Sequence, residues 1–122
     1  MTKAYVEDIE LEQGSEYRRV VYWMYSDGAP HDFSAYSAEL QMRPFPESNI
    51  VLLTLSSSDP TQIHLGGADG FLIIYIKAST TAALSFNKAV YDLEVYPTDN
   101  PDATVKLLRG NVTLIKEVTR ES

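Results

Sequence analysis

Alternation of apolar and polar side chains, the mark of a strand with one buried face, recurs along most of this chain. The cleanest run places Tyr36, Ala38, Leu40 and Met42 against Ser37, Glu39, Gln41 and Arg43. Val90 to Tyr96 repeats the pattern, with Tyr91, Leu93 and Val95 opposed to Asp92 and Glu94. Tyr5 to Leu11 reads as a first strand whose outward charges, Asp8 and Glu10, suit a sheet edge. Thr104 to Val118 predicts a long last strand. On it Leu108, Val112 and Leu114 share one parity, and Gly110 marks a bulge or a close backbone approach.

Two segments are apolar on both faces. Glu16 to Tyr25 carries Tyr17, Val21, Trp23 and Tyr25 on one parity and Val20, Tyr22 and Met24 on the other. Phe71 to Ile76 is apolar throughout, as expected of a central strand covered on both sides. Shorter strands are predicted over Asn49 to Leu55 and Gln62 to Leu65.

Breakers divide these runs. Ser26 to Ser34, with Gly28 and Pro30, reads as a loop, and Pro44 and Pro46 end the strand before them. Gly66 to Gly70 reads as a hairpin loop whose glycines permit positive φ. Thr98 to Asp102 forms a turn, because Pro97 and Pro101 lack ladder donors and Asp99, Asn100 and Asp102 bond their own backbone. Ala78 to Leu84 is the helical candidate, about two turns at most, with Ser79 or Thr80 able to cap it. Short strands at this spacing predict an all-β fold: a single antiparallel β-sandwich, immunoglobulin-like or jelly-roll-like, of about eight strands with one short helical turn.

Composition bounds the rest. A chain of 122 residues holds one domain, 1–122, with terminal segments Met1 to Ala4 and Glu117 to Ser122 that can extend from it as clamps. No apolar run reaches the length of a transmembrane helix and the first residues lack the apolar core of a signal peptide, so neither a membrane partner nor secretion is expected. The absence of cysteine removes disulfides, thiolate metal sites and cysteine nucleophiles. A net charge of −7 with scattered cations argues against a nucleic-acid partner.

Catalytic motifs are missing. His31 and His64 lie apart and belong to no motif, and Gly66 to Gly70 sits between strands and not before a helix. Asp99, Asn100 and Asp102 supply oxygens, but Pro101 interrupts them and no bidentate Glu follows at calcium-loop spacing. Asp32, Glu47 and Asp59 are carboxylates from distant segments with nothing to pair them for hydrolysis. No enzyme, cofactor or metal site is expected. Eight tyrosines, four phenylalanines and one tryptophan leave a surface role open, and a strand apolar on both faces implies a second layer or a partner subunit. Internal burial is the expected use of most of them. The candidate partner contacts are Tyr17, Tyr22, Trp23 and Tyr25, together with Asp99, Asn100 and Asp102 on the turn.

The order of segments resembles small structural proteins of tailed bacteriophages, with a β-sandwich like the N-terminal domain of upper-baseplate proteins. The resemblance is carried by IELEQGSEYRRVVYWMY (residues 9–25), DFSAYSAELQMRP (32–44), IHLGGADGFLIIYI (63–76), KASTTAAL (77–84), YDLEV (91–95) and LLRGNVTLIKEVTR (107–120). It implies a non-enzymatic virion component made in the host cytoplasm and present as a homo-oligomer or in many symmetric copies. Its partners would be other virion proteins of tail, baseplate, fibre or capsid. An attachment or adaptor role is the expectation, a capsid decoration protein the alternative. A carbohydrate-binding module using Trp23 or exposed tyrosines is a reading from a different class.

Overall fold

A computed structural model of the chain describes residues 4–119. Its strands are β1 (Tyr5–Val6), β2 (Ile9–Glu12), β3 (Tyr17–Tyr22), β4 (Tyr36–Arg43), β5 (Leu53–Ser56), β6 (Ile63–Leu65), β7 (Phe71–Ile76), β8 (Lys88–Pro97) and β9 (Val105–Ile115), with one helix, α1 (Ala78–Ala83). The larger sheet runs β5-β4-β8-β9, with β1 and then β2 along the far side of β9, and the smaller runs β3-β7-β6. This is the division of an immunoglobulin-like sandwich, three strands facing a sheet built on the two C-terminal strands. The fold is therefore the immunoglobulin-like one of the two expected forms.

The antiparallel expectation needs one correction, because β1 and β2 both pair with β9 in parallel. The single strand expected over Tyr5 to Leu11 is also broken at Glu7 and Asp8. Glu7 N–H donates to Arg109 O at 2.8 Å, and the Asp8 carboxylate accepts from Asn111 N–H at 2.9 Å. Between them Gly110 comes so close that a Cβ there would lie 2.4 Å from Glu7 O. The close approach read at Gly110 is real. The bulge lies elsewhere: Leu93 pairs with Leu108 but Glu94 with Lys106, so Leu107 is extra and turns inward beside Leu108.

The core lies between the sheets. Leu11, Leu40, Met42, Leu55, Ile63, Leu72, Ile74, Leu93, Val95 and Val112 are fully enclosed, and they are the inward parity of their strands. Phe33 plugs the end of this layer from the β3–β4 loop. Helix α1 matches the expected segment, but its N-cap is Lys77 and no side chain caps it. Its role is in Thr81, whose hydroxyl donates to Ser15 O at 2.8 Å and accepts from Gly14 N–H at 3.0 Å, fixing the β2–β3 turn.

Three further expectations change. Strand β5 begins at Leu53, because residues 49–52 are irregular, with Ser48 Oγ accepting from Ile50 N–H at 3.0 Å. Strand β3 ends at Tyr22, and Met24 forms only an isolated bridge to Pro30. Strand β7 is central in its sheet but not covered on both sides. Leu72, Ile74 and Ile76 are buried, whereas Phe71, Ile73 and Tyr75 on the outer face are only half-buried. Of the terminal clamps, residues 1–3 and 120–122 lie outside the described residues, and Glu117 is tied back by its N–H to Gln13 Oε1 at 2.9 Å.

Candidate interaction surface

Strands β3 and β7 place two rows of side chains on the outer face of the small sheet. Period-2 alternation puts Arg18, Val20 and Tyr22 opposite Tyr75, Ile73 and Phe71. His64 on β6 faces Ile73 from the other side. The rings of Tyr22 and Phe71 lie 6.5 Å apart, and those of His64 and Phe71 6.3 Å apart. Tyr75 Oη donates to Glu16 Oε2 at 2.8 Å, which raises the phenol above its ordinary pKa. Among the described residues no further layer packs on this face, and Tyr22 is 65% exposed. Met24 and Tyr25, also exposed, extend it at the end of β3.

Behind this end lies an aromatic stack. Trp23 and His31 stack with ring centroids 3.5 Å apart and planes 2° from parallel, and Tyr25 covers the histidine at 4.3 Å. Phe33 and Tyr36 close on Trp23 at 5.6 and 5.9 Å. His31 N–H donates to Trp23 O, and Tyr25 N–H to Ala29 O, which holds the loop in this shape. Desolvation lowers the His31 pKa, opposed by the Asp32 charge. Trp23 thus spends an indole face on His31 and is half-buried, so it is not the exposed platform that a sugar-stacking use of this residue needs.

The predicted contacts separate. Tyr22 and Tyr25 reach the surface, Trp23 packs against the core, and Tyr17 is half-buried. Tyr17 lies in the field of an ion pair in which Arg19 Nε and Nη2 each reach a Glu7 carboxylate oxygen at 2.7 Å. That pair holds the Glu7 carboxyl below its usual range. Burial, and then Glu7, raise the Tyr91 phenol, whose hydroxyl donates to Glu7 O at 2.6 Å. Asp99, Asn100 and Asp102 are exposed on the β8–β9 turn, beside the β3–β4 loop through Thr98 N–H to Ala35 O. The sequence reading missed Val20, Phe71, Ile73 and Tyr75 as surface residues. The signal is present in the unbroken apolar run of β7, which fits an uncovered apolar face as well as a double burial.

The outer face of the large sheet has the opposite character. A shallow concavity of about 670 Å³ is lined by Glu39, Gln41, Asp92, Glu94, Lys106 and Arg109, among others. Three of its charges meet: Lys106 Nζ lies 2.9 Å from Asp92 and 2.7 Å from Glu94. Two of the three carboxylates considered for hydrolysis are likewise occupied. Asp32 and Asp59 accept from the backbone and hydroxyls of Ser34 and Thr61, which lowers both pKa values. Among the described residues no three potential ligands converge as a metal site, and no helix is long and apolar enough to cross a membrane.

No protein-family profile matches the sequence, and no curated protein does. Solved structures are similar in fold. The extracellular domain of the voltage-gated sodium channel beta4 subunit, described as a parallel homodimer with a role in cell–cell adhesion, is 12% identical, covers 97% of this chain and 98% of its own, and has a TM-score of 0.49. A second, from work on multimeric cell-adhesive interactions of sodium channel beta subunits, is 10% identical over 90% of this chain and 92% of its own, with a TM-score of 0.43. Neither is a virion component, and the expectation of a phage attachment or decoration protein is corrected on this finding. The physical reason is visible in the motifs that carried the resemblance. Leu11, Leu40, Met42, Leu93, Val112 and Leu114 are core residues that any sandwich of this kind requires.

Proposed function

We propose that this chain is a non-catalytic immunoglobulin-like module that self-associates through its three-stranded sheet. The observation that carries the reading is the row Val20, Tyr22, Phe71, Ile73 and Tyr75, apolar and aromatic side chains left partly in water on a regular sheet face. Contiguous apolar patches on a soluble domain mark interaction sites, and aromatics are enriched at interface centres. The outer face of the large sheet is more polar, with Lys106 paired to Asp92 and Glu94 beside Glu39, Gln41 and Arg109. A second copy brings the same sheet to the first, as a two-fold interface requires. Sedimentation equilibrium tests this. The unaltered chain should form dimers at micromolar to millimolar concentration, and the double variant Tyr22→Ser, Ile73→Thr should weaken them at least tenfold while keeping its circular dichroism. A chain that stays monomeric up to its solubility limit ends the reading.

A further inference from the structure

The small sheet has an open edge as well as an open face. Among the described residues, strand β3 pairs with β7 on one side only. Trp23 N–H donates to Gly70 O, whereas Tyr75 N–H and Phe71 O bond toward β6 through Gln62 and Gly66. Antiparallel ladders alternate, so Tyr17, Arg19 and Val21 spend their backbone groups on β7, while those of Arg18, Val20 and Tyr22 point away from the sheet. The Val20 carbonyl, left over in this way, accepts from Arg19 Nη1.

We infer that a second copy of this chain joins at that edge, β3 against β3 in antiparallel register about Val20, giving a continuous six-stranded sheet. The inference rests on the self-association proposed above and adds its geometry. A two-fold axis normal to the sheet at Val20 sets Val20 opposite its counterpart, and Arg18 opposite Tyr22 of the second copy. In this register the outward amides and carbonyls of Arg18, Val20 and Tyr22 all meet partners. The side chains match too: valine meets valine at the axis, and each guanidinium comes beside a phenol ring, a favourable cation–π arrangement. The two Arg18 side chains stay about 13 Å apart along the strands, at about 3.3 Å per residue. The apolar faces become one surface, and the bond from Arg19 to the Val20 carbonyl gives way to a ladder bond.

The chain has no native thiol, so Val20→Cys gives one site for cross-linking. Under mild oxidation Val20→Cys should form a disulfide-linked dimer at least tenfold faster than Thr54→Cys, a control on the exposed edge strand β5. Val20→Pro, which removes an amide that bonds nothing among the described residues, should lower the dimer fraction at least tenfold with its far-ultraviolet spectrum retained. If unaltered chains dimerise while Val20→Cys links no faster than the control, the edge geometry is wrong and self-association stands. If the unaltered chain is monomeric, both fail.

Discussion

At Gly110 the reason for glycine is a neighbour, not a turn. A Cβ at this position would meet the Glu7 carbonyl carbon at 2.8 Å as well as its oxygen, and backbone cannot swing aside as a side chain does. Gly110→Ala should therefore cost about 1–3 kcal/mol in urea unfolding, the range for overpacking, and a change under about 0.5 kcal/mol would contradict the close approach. His31 makes a different demand. Its pKa is lowered from 6.5 by desolvation between Trp23 and Tyr25, with Asp32 opposing. The unfolded chain thus takes up the proton first. Stability is full above about pH 6.5, falls as pH drops below it, and levels off once the folded-state value is passed. The melting temperature should drop more between pH 7.5 and pH 5.5 in the unaltered chain than in His31→Phe, which keeps the stack without the titration. Equal drops would show that His31 is not the group responsible.

Among elements, those with one buried and one solvated face were legible in the sequence. β4 and β8 follow their alternation nearly to the residue, because their inward side chains enter the core and their outward ones reach water. Leu93→Ala should accordingly cost about 2–5 kcal/mol by chemical denaturation. The break between β1 and β2 was not legible, since it depends on Glu7 meeting a strand about a hundred positions later in the chain. The bulge that turns Leu107 inward is equally a property of pairing, set where Glu94 takes Lys106 as its partner. The position of α1 was readable but its role was not. Thr81 looks like an ordinary helix residue until its hydroxyl is seen to hold the turn at Gly14 and Ser15. Thr81→Val keeps the shape and leaves the Gly14 amide unpaired. It should cost about 1–3 kcal/mol, the penalty for a buried unsatisfied group, read by the same denaturation.

At the scale of the molecule, the residues expected at a partner contact do not stay together in the fold. Tyr22 and Tyr25 do reach the surface, but Trp23 and Tyr17 turn inward, and the other half of the exposed face comes from β7. An apolar run states only that water is unwelcome on both sides of a strand. It does not say whether the second side is covered by the same chain or by another. The fold answers the first half of that question by leaving Phe71, Ile73 and Tyr75 half-exposed. Because each copy carries a net charge of −7, association should tighten as salt rises and screens their repulsion, and weakening with salt would point to attraction between charged faces.

The most direct measurement is a dilution series of the isotopically labelled chain followed by amide nuclear magnetic resonance. Concentration-dependent shifts should concentrate on β3 and β7, at Val20, Tyr22, Phe71, Ile73 and Tyr75, and leave Glu39, Asp92 and Glu94 unmoved. Shifts that gather instead on the charged face of the large sheet, or none across the range, would contradict a self-associating small sheet.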